Sequence, residues 1–298
     1  MKLCLSCQHS FVEPGWKCPV CATTPADRRG ILSFAPALAE HNDGFNPLLF
    51  RRMAEIEPGH FWFAGRNRIL AEVIRRYFGQ PDNLLEIGCG TGYVLSALHA
   101  AFPGTRLSAS DIYPEGLAFA AQRVPGAFLF QMDARHIPFQ EEFDLIGAFD
   151  VLEHVEEDST VLAQLYQACK PGGGIVLTVP QHRWLWSQAD DFAHHKRRYL
   201  RRELLDKVTR AGFRTIYATS FVSLLLPLML VQRLAKKSGT SVEQQMEGVG
   251  LHTGRVVNAL LGTIMWLEWL LIKAGLALPA GGSLLVVARR PEVRKIRS

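Results

Sequence analysis

LLEIGCGTGYVL, Leu84 to Leu95, is an apolar run that breaks into alternating glycines and then continues as a helical stretch. Leu84, Leu85 and Ile87 form the kind of short apolar segment that makes a fully buried strand. Gly88, Gly90 and Gly92 follow at every second position, and Tyr93 to Ala101 reads as helix. Glycines so spaced let the backbone turn sharply and bring a ligand against the N–H groups of a helix N-terminus. A dinucleotide loop, G-x-G-x-x-G, needs its third glycine at the position that Tyr93 occupies. A glycine turn with no ligand is the alternative at this point.

The strands that follow bear on that choice. Arg106 to Ile112 (RLSASDI) reads as a second strand carrying Asp111, nineteen residues after Gly92. A carboxylate there can accept both hydroxyls of a ribose, which points to a nucleoside-bearing ligand. Phe128 to Met132 reads as a third strand ending at Asp133-Ala134, and Phe143 to Val151 (FDLIGAFDV) as a fourth carrying Asp150. Lys170 to Gly174 reads as a helix-ending turn, Ile175 to Val179 as a fifth strand and Phe213 to Ser220 as a sixth. Ser283 to Ala288 is expected as a final antiparallel strand. The alternation predicts an α/β fold, a doubly wound and mostly parallel seven-stranded sheet of Rossmann-like type, with its site at the strands' carboxyl ends. Any one Asp can be a helix cap; acid or glycine at the same end of four strands argues for a site.

With Glu86 before G-x-G-x-G and the acids in this order, positions 84–180 resemble the core of class I methyltransferases that use S-adenosylmethionine (SAM). The resemblance implies SAM as cofactor, with Glu86 leading the motif and Gly88, Cys89, Gly90 and Gly92 facing the methionine part. It implies that Asp111 and Ile112 meet ribose and adenine, that Asp133 and Ala134 flank adenine, and that Asp150 and Val151 border the methyl group. Among bacterial proteins the chain most resembles methyltransferases of quinone, polysaccharide and lipid-linked glycan synthesis.

Two constellations can carry chemistry. The first is Asp150-Val-Leu-Glu153-His154. Some methyltransferases bind a divalent metal with E-x-x-E-H at this strand end, but here the first position is Asp and metal-free members share V-L-E-H. A second divalent metal at Asp150, Glu153 and His154 is therefore not expected. The second is the run Asp190 to Tyr199 (DDFAHHKRRY). A histidine there can take a proton from a hydroxyl as the methyl arrives. His195 is favoured over His194 because related sequences resemble H-x-R-R-Y, and His154 is the other catalytic candidate. The alternative is a surface turn of Arg–Asp pairs, and methyl transfer by alignment alone needs no base. Trp184 and Trp186 are read as an apolar wall for the acceptor.

Upstream, Cys4-x-x-Cys7 and Cys18-x-x-Cys21 have the spacing of a tetrahedral four-thiolate site, expected to hold a structural zinc in a ribbon over residues 1–30. Disulfides are the rival, which a reducing compartment disfavours. Residues 31–79 are expected to be linker and helical leader, with Ala22 to Asn46 lacking periodicity and Pro47 to Phe78 helical but broken at Pro58-Gly59. The aromatic cluster His60-Phe61-Trp62-Phe63, followed by Arg66, reads as packing onto the sheet or as a lid. The methyltransferase domain then occupies 80–298, with an apolar helical insertion at about 221–278.

Of 298 residues, 48% are hydrophobic and 20% charged, which describes a globular chain with a sizeable core. The net charge of +5 is uneven: His194 to Arg214 carries eight Lys/Arg against two acids. No secretory apolar region follows Met1-Lys2-Leu3, so a cytoplasmic location is expected. Phe221 to Val231 is too short to span a bilayer, and in Val256 to Leu278 a spanning helix would bury Glu268 at several kcal/mol. With Arg233, Lys236, Lys237, Arg255, Arg289 and Arg290 nearby, these segments suit peripheral docking at an anionic membrane surface. A pocket cap or homodimer interface is the alternative. The functional expectation is SAM-dependent methylation of a hydroxyl on an amphipathic small molecule, such as a quinone precursor or lipid-linked sugar. The competing readings are an RNA methyltransferase that grips phosphates with ribbon and basic stretch, and a non-catalytic SAM-binding scaffold.

Overall fold

The structure is a computed structural model that describes residues 1–28, 30–40, 48–235 and 254–292. At the N-terminus β1 (Lys2–Leu3) pairs antiparallel with β2 (Ser10–Phe11), and β3 (Ala26–Arg28) with β4 (Ile31–Ser33). The leader contains α1 (Pro36–Glu40), α2 (Leu48–Ile56), a 3-10 turn (Glu57–Gly59) and α3 (Phe61–Phe78). The alternating core then runs β5 (Asn83–Ile87), α4 (Tyr93–Ala101), β6 (Arg106–Asp111), α5 (Pro114–Arg123), β7 (Phe128–Gln131), β8 (Phe143–Phe149), α6 (Asp158–Ala168) and β9 (Cys169–Pro180). It continues with α7 (Gln188–Phe192), α8 (Arg201–Arg210), β10 (Arg214–Phe221), α9 (Leu226–Ala235), α10 (Arg255–Lys273) and β11 (Ser283–Arg289).

The sheet order is β10-β11-β9-β8-β5-β6-β7-β4-β3, parallel from β9 through β4 and antiparallel at both flanks. The chain builds outward from β5 to β7 and then crosses back to β8. The strand order therefore reverses between β5 and β8, and a crevice opens at their carboxyl ends. All five residues of β5 are buried, which is why Leu84, Leu85 and Ile87 read as a buried strand even with Glu86 among them. Leu85 and Ile87 face a core shared with Val161, Leu162 and Leu165 of α6 and Leu204 of α8. Leu84 faces the other core, built from Ile69, Leu70 and Ile74 of α3, Leu95 and Leu98 of α4, and Met265 and Ile272 of α10.

The sheet has nine strands rather than seven. The stretch expected to be linker contributes β3 and β4, and β4 pairs in parallel with β7 through Leu32 opposite Phe130. Three-residue strands carry no readable period, and a tertiary contact supplies what the sequence lacks. Gln131 Oε1 accepts from Ser33 Oγ at 2.6 Å and from the Ala35 amide at 3.1 Å, while its Nε2 donates to the Ala35 carbonyl at 2.9 Å. Trp16 packs edge-on against Phe34 and Phe139, with centroids at 4.7 and 5.4 Å, and the Leu3 amide donates to the Pro138 carbonyl. The cysteine-bearing segment is thus fastened to the sheet edge. Residues 41–47 of the expected linker and leader lie outside the described residues.

Three further expectations are corrected. Lys170 to Gly174, read as a turn, is drawn into β9 across a register shift against β8. Arg289 and Arg290, expected beside the apolar insertion, are spent on internal partners. Arg289 donates to the Gly172 carbonyl and lies over Phe78, and Arg290 donates to the Tyr166 and Cys169 carbonyls. Much of the basic stretch is likewise spent on internal partners, as the site shows. Within the insertion, residues 236–253, with Lys236 and Lys237, lie outside the described residues.

Candidate active site

The glycine loop rises from β5 into the crevice with Gly88 at φ +67° and Gly92 at φ +74°. A Cβ on Gly88 would stand 2.5 Å from Val151 Cγ2, and one on Gly92 would stand 2.7 Å from the Ala120 backbone. Both positions therefore need glycine for conformation and for space. Gly92 caps α4 without a side chain, so the helix N-terminus faces the crevice uncovered by its own cap.

Asp111 ends β6 beside this loop. Its Oδ2 accepts from the Gly90 amide at 2.7 Å and its Oδ1 from the Tyr113 amide at 2.9 Å. Burial pushes its carboxyl up to about 6 against the pull of those amides. Two lone pairs are left, enough for a pair of ribose hydroxyls. Ile112 follows, and its carbonyl accepts from Gln131. Asp133 and Ala134 stand past the end of the next strand. Burial raises the Asp133 carboxyl, but hydrogen bonds from Arg135 at about 3.0 Å outweigh it and hold the group below its ordinary value.

On the other side of the loop, Val151 packs on Gly88, and Asp150 adopts a left-handed backbone at φ 58°. The Asp150 carboxylate accepts from Arg66 Nη1 at 2.6 Å, and the Arg66 guanidinium lies 4.5 Å from the centroid of Trp62. Sequence reading noticed Arg66 after the aromatic cluster but gave it no role; a cation one turn into a helix has no signal of its own until Asp150 is placed opposite. Glu86 lies on the same face. Burial pushes its carboxyl up to about 8 with the Arg66 charge pulling down, and its Oε2 has no hydrogen-bond partner among the described residues. Arg66 Nε is also buried without one. Unmet donor and acceptor beside the loop suit the ammonium and carboxylate end of an amino-acid ligand.

The leader closes over the loop. Phe50 of α2 is buried against Gly116 and lies 3.8 Å from where a Gly90 Cβ would be. Glu57 accepts from Thr91 Oγ1 at 2.6 Å and from Arg123 Nη1 at 2.7 Å, so a buried ion pair ties leader, loop and α5 together.

At the carboxyl ends of β8 and β9 the structure brings His154 and His195 together, with ring centroids 4.8 Å apart, and leaves His194 exposed. Asp190, wholly buried, receives His195 Nδ1 at 2.9 Å and Arg198 Nε at 2.7 Å. Burial raises this carboxyl, but the His195 and Arg198 hydrogen bonds prevail and hold it at about 2. An ionised Asp190 can only accept, so Nδ1 is the donor, and in the neutral imidazole the lone pair is on Nε2. That lone pair is on the side of Glu153, whose Oε1 is 3.9 Å away. Glu153 is fully buried, with neither oxygen hydrogen-bonded among the described residues. Burial and then the Asp150 charge keep its carboxyl well above the ordinary range. His154 stands at the surface, yet burial of its inner edge and then the charges of His195, His194 and Lys196 hold it below its ordinary value. Tyr199, also buried, donates to Asp158 at 2.6 Å, which in turn accepts from Lys207 at 2.6 Å and pairs with Arg197 at 3.1 Å. The Arg–Asp pairing of the alternative reading is present, but it is buried: Asp190, Arg198 and Tyr199 form an interior scaffold while Asp191, His194 and Lys196 of the same run stay exposed. Glu153, His154 and His195 lie close enough to share an ion, but Asp150 is not of that group because Arg66 holds it. Trp184 and Trp186, 57% and 40% exposed, stand at the rim, and Trp186 Nε1 donates to Asp191.

In the N-terminal segment the thiols of Cys4 and Cys21 are 3.5 Å apart and those of Cys7 and Cys18 3.6 Å. That is not bonding distance for sulfur but is near the sulfur–sulfur edge of a tetrahedron with metal bonds of about 2.3 Å.

Glu86 gives a pH prediction. Its folded-state carboxyl lies above its unfolded value, so its contribution to stability is complete below about pH 4.5 and is lost as pH climbs through about 8. Thermal midpoints of ligand-free protein should fall across this window, and Glu86→Gln should flatten the slope. An unchanged slope in the variant would assign it to another group.

Comparison with known proteins agrees with this geometry. A family model described as methyltransferase domain matches residues 57–218. The chain is 27% identical over 150 residues to a malonyl-[acyl-carrier protein] O-methyltransferase of Anoxybacillus flavithermus, covering 49% of this chain and 58% of that protein. It is 29% identical over 142 residues to a trans-aconitate 2-methyltransferase of Paracidovorax citrulli, covering 47% and 51%. The chain thus spans about half the length of the curated relatives it matches. Among solved structures it is similar to a chain of the complex between the Haloferax volcanii Trm112 methyltransferase activator and a methyltransferase, with TM-score 0.55 and 17% identity over 83% of this chain and 96% of that one. It is also similar to Haemonchus contortus phosphoethanolamine N-methyltransferase 2, with TM-score 0.57 and 18% identity over 86% and 60%. At such identities the structures speak for the fold.

Proposed function

Since the chain belongs to the methyltransferase-domain family and is a class I SAM-dependent methyltransferase, we propose that it methylates a hydroxyl of an amphipathic small acceptor, a quinone precursor or lipid-linked sugar, drawn from a membrane surface. SAM, when bound, supplies a methyl group made electrophilic by its sulfonium. The residues that would hold it are the glycine loop, Asp111 at the ribose, Ile112, Asp133 and Ala134 around the base, and Arg66 with Glu86 at the amino-acid end. Asp150 and Val151 border the position of the methyl group.

One observation supports the choice of a hydroxyl: Asp190 holds His195 Nδ1 at 2.9 Å, which leaves Nε2 on the side of Glu153, just past the carboxyl end of β8. His195 takes the hydroxyl proton on Nε2 while the ionised Asp190 stabilises the imidazolium. The leader excludes water on the loop side, and Trp184 and Trp186 offer apolar contact at the mouth. The relative named as an O-methyltransferase supports an oxygen acceptor.

RNA is disfavoured as acceptor because Arg197, Arg198 and Lys207 of the basic stretch are paired with Glu156, Asp158 and Asp190 and are not offered to phosphates. The four thiols suit a structural zinc, with no coordination position left for catalysis; metal analysis at one zinc per chain checks this. Incubation of purified protein and methyl-labelled SAM with cell extract, then separation of organic-soluble material from RNA, tests the whole reading. Label should enter the organic phase. Label in RNA would overturn the acceptor class, and SAM binding with no label in either fraction would favour the scaffold reading.

A further inference from the structure

The helix α10 is, among the described residues, long and apolar enough to cross a membrane, yet only 17% of its apolar window is buried. One face is committed to the protein: Met265 packs on Gly65 of α3, and Ile272 is buried. Glu268 and Asn258 lie on this inner side. Glu268, wholly buried, accepts from the Ser223 and Leu224 amides at 2.6 and 2.9 Å and also from the Val222 amide, so it caps the chain entering α9. Asn258 accepts from the Phe61 amide and donates to the Gly59 carbonyl. Glu268 at mid-helix, the strongest objection to lipid contact in the sequence, is therefore turned away from the surface.

The outward stripe is apolar along the whole helix. Val256, Leu260 and Leu267 are 74%, 61% and 45% exposed and repeat at helical spacing. Thr263 interrupts them, but its hydroxyl donates to the carbonyl of Ala259 on the same helix. Trp266 is 42% exposed at one flank, and Leu224, whose amide Glu268 holds, is 44% exposed. Arg255 and Lys273 stand exposed at the two ends of the stripe, and Arg68 of α3 lies exposed on the adjoining surface. Apart from the buried Glu268, α10 carries no acid.

We propose that this face is an in-plane docking surface for an anionic lipid bilayer, with α10 lying flat and its apolar stripe sunk among the acyl chains. It is not a spanning helix, because α3 covers its inner face. Charge decides between lipid and a second copy. A two-fold pairing of α10 on itself would bring Arg255 and Lys273 against one another with no acid between them, whereas anionic headgroups neutralise both ends. The inference deepens the reading of a membrane-drawn acceptor and rests on it for purpose, not for evidence.

The test is flotation of the full chain with vesicles of phosphatidylcholine, with and without phosphatidylglycerol. Binding should be at least tenfold stronger on the anionic vesicles and fall with salt. Leu260→Glu with Leu267→Glu should abolish it while thermal midpoint and SAM affinity are kept, since both leucines are exposed. Arg255→Glu with Lys273→Glu should remove the preference for anionic lipid. No vesicle binding, or undiminished binding by the leucine variant, overturns the proposal. A concentration-dependent dimer lost in the leucine variant, with no flotation, assigns the face to a second copy instead and also overturns it. SAM affinity and methyl transfer to soluble acceptors are read separately, so failure to float leaves the catalytic reading standing and loss of transfer leaves the docking result interpretable.

Discussion

Asp111→Ala is expected to weaken SAM binding more than about a hundredfold in a protein that stays folded. The carboxylate has two tasks. It is placed to accept both ribose hydroxyls, and it already fastens the loop by taking the Gly90 and Tyr113 amides at 2.7 and 2.9 Å. Hydrogen bonds to an ionised group contribute about 1.5–3 kcal/mol each. Loss of two from the ligand alone gives at least about 3 kcal/mol, a little over a hundredfold. The loop itself should survive, because Gly88 remains wedged under Val151 and Gly92 against Ala120. Asp111→Asn keeps the size and one acceptor and should fall between. Because burial holds the free carboxyl at about 6, wild-type affinity should also decline as pH drops below that value, and Asp111→Asn should lose this dependence. Calorimetric titration with circular dichroism as the folding control decides it. Wild-type affinity in a folded Asp111→Ala protein would remove the ribose assignment.

The parts of this site that could be read from sequence are those in which one local signal fixes both backbone and chemistry. Gly88 and Gly92 announce a left-handed turn, Asp111 follows at the distance of the next strand end, and Leu84, Leu85 and Ile87 of β5 are apolar because both faces of that strand are covered. What could not be read depends on distant partners. Arg66 acquires meaning only from Asp150, eighty-four residues away. Asp190 looks like one half of a surface pair until burial and Arg198 make it a permanent anion behind His195. Strands β3 and β4 are too short to show a period and exist because Gln131 and Trp16 hold them to the sheet edge. In each case the missing information is a tertiary contact that overrides weak local preference. Glu268 shows the same limit in reverse. The sequence set it in the middle of an apolar run without saying which way it faced, and that direction changes what the run can touch.

His195→Ala is expected to lower turnover by about a hundred- to ten-thousandfold, the range for loss of a positioned general base, while leaving SAM affinity unchanged. SAM affinity is spared because His195 stands with Asp190 and Glu153, away from Asp111 and the glycine loop. Asp190 acts through His195 as a positioning residue, and its variant separates this role from simple scaffolding. Asp190→Asn keeps the size but removes the anion that fixes the Nδ1 proton and stabilises the imidazolium, so kcat should fall at least tenfold. SAM affinity and thermal midpoint should hold while kcat falls. A merely structural loss would lower the thermal midpoint or the SAM affinity along with turnover. Added imidazole should restore part of the turnover of His195→Ala, whose missing ring leaves space beside Glu153, and should do nothing for Asp190→Asn. Full turnover in a folded His195→Ala protein would mean that alignment of methyl and nucleophile suffices here and that the histidine belongs to the scaffold.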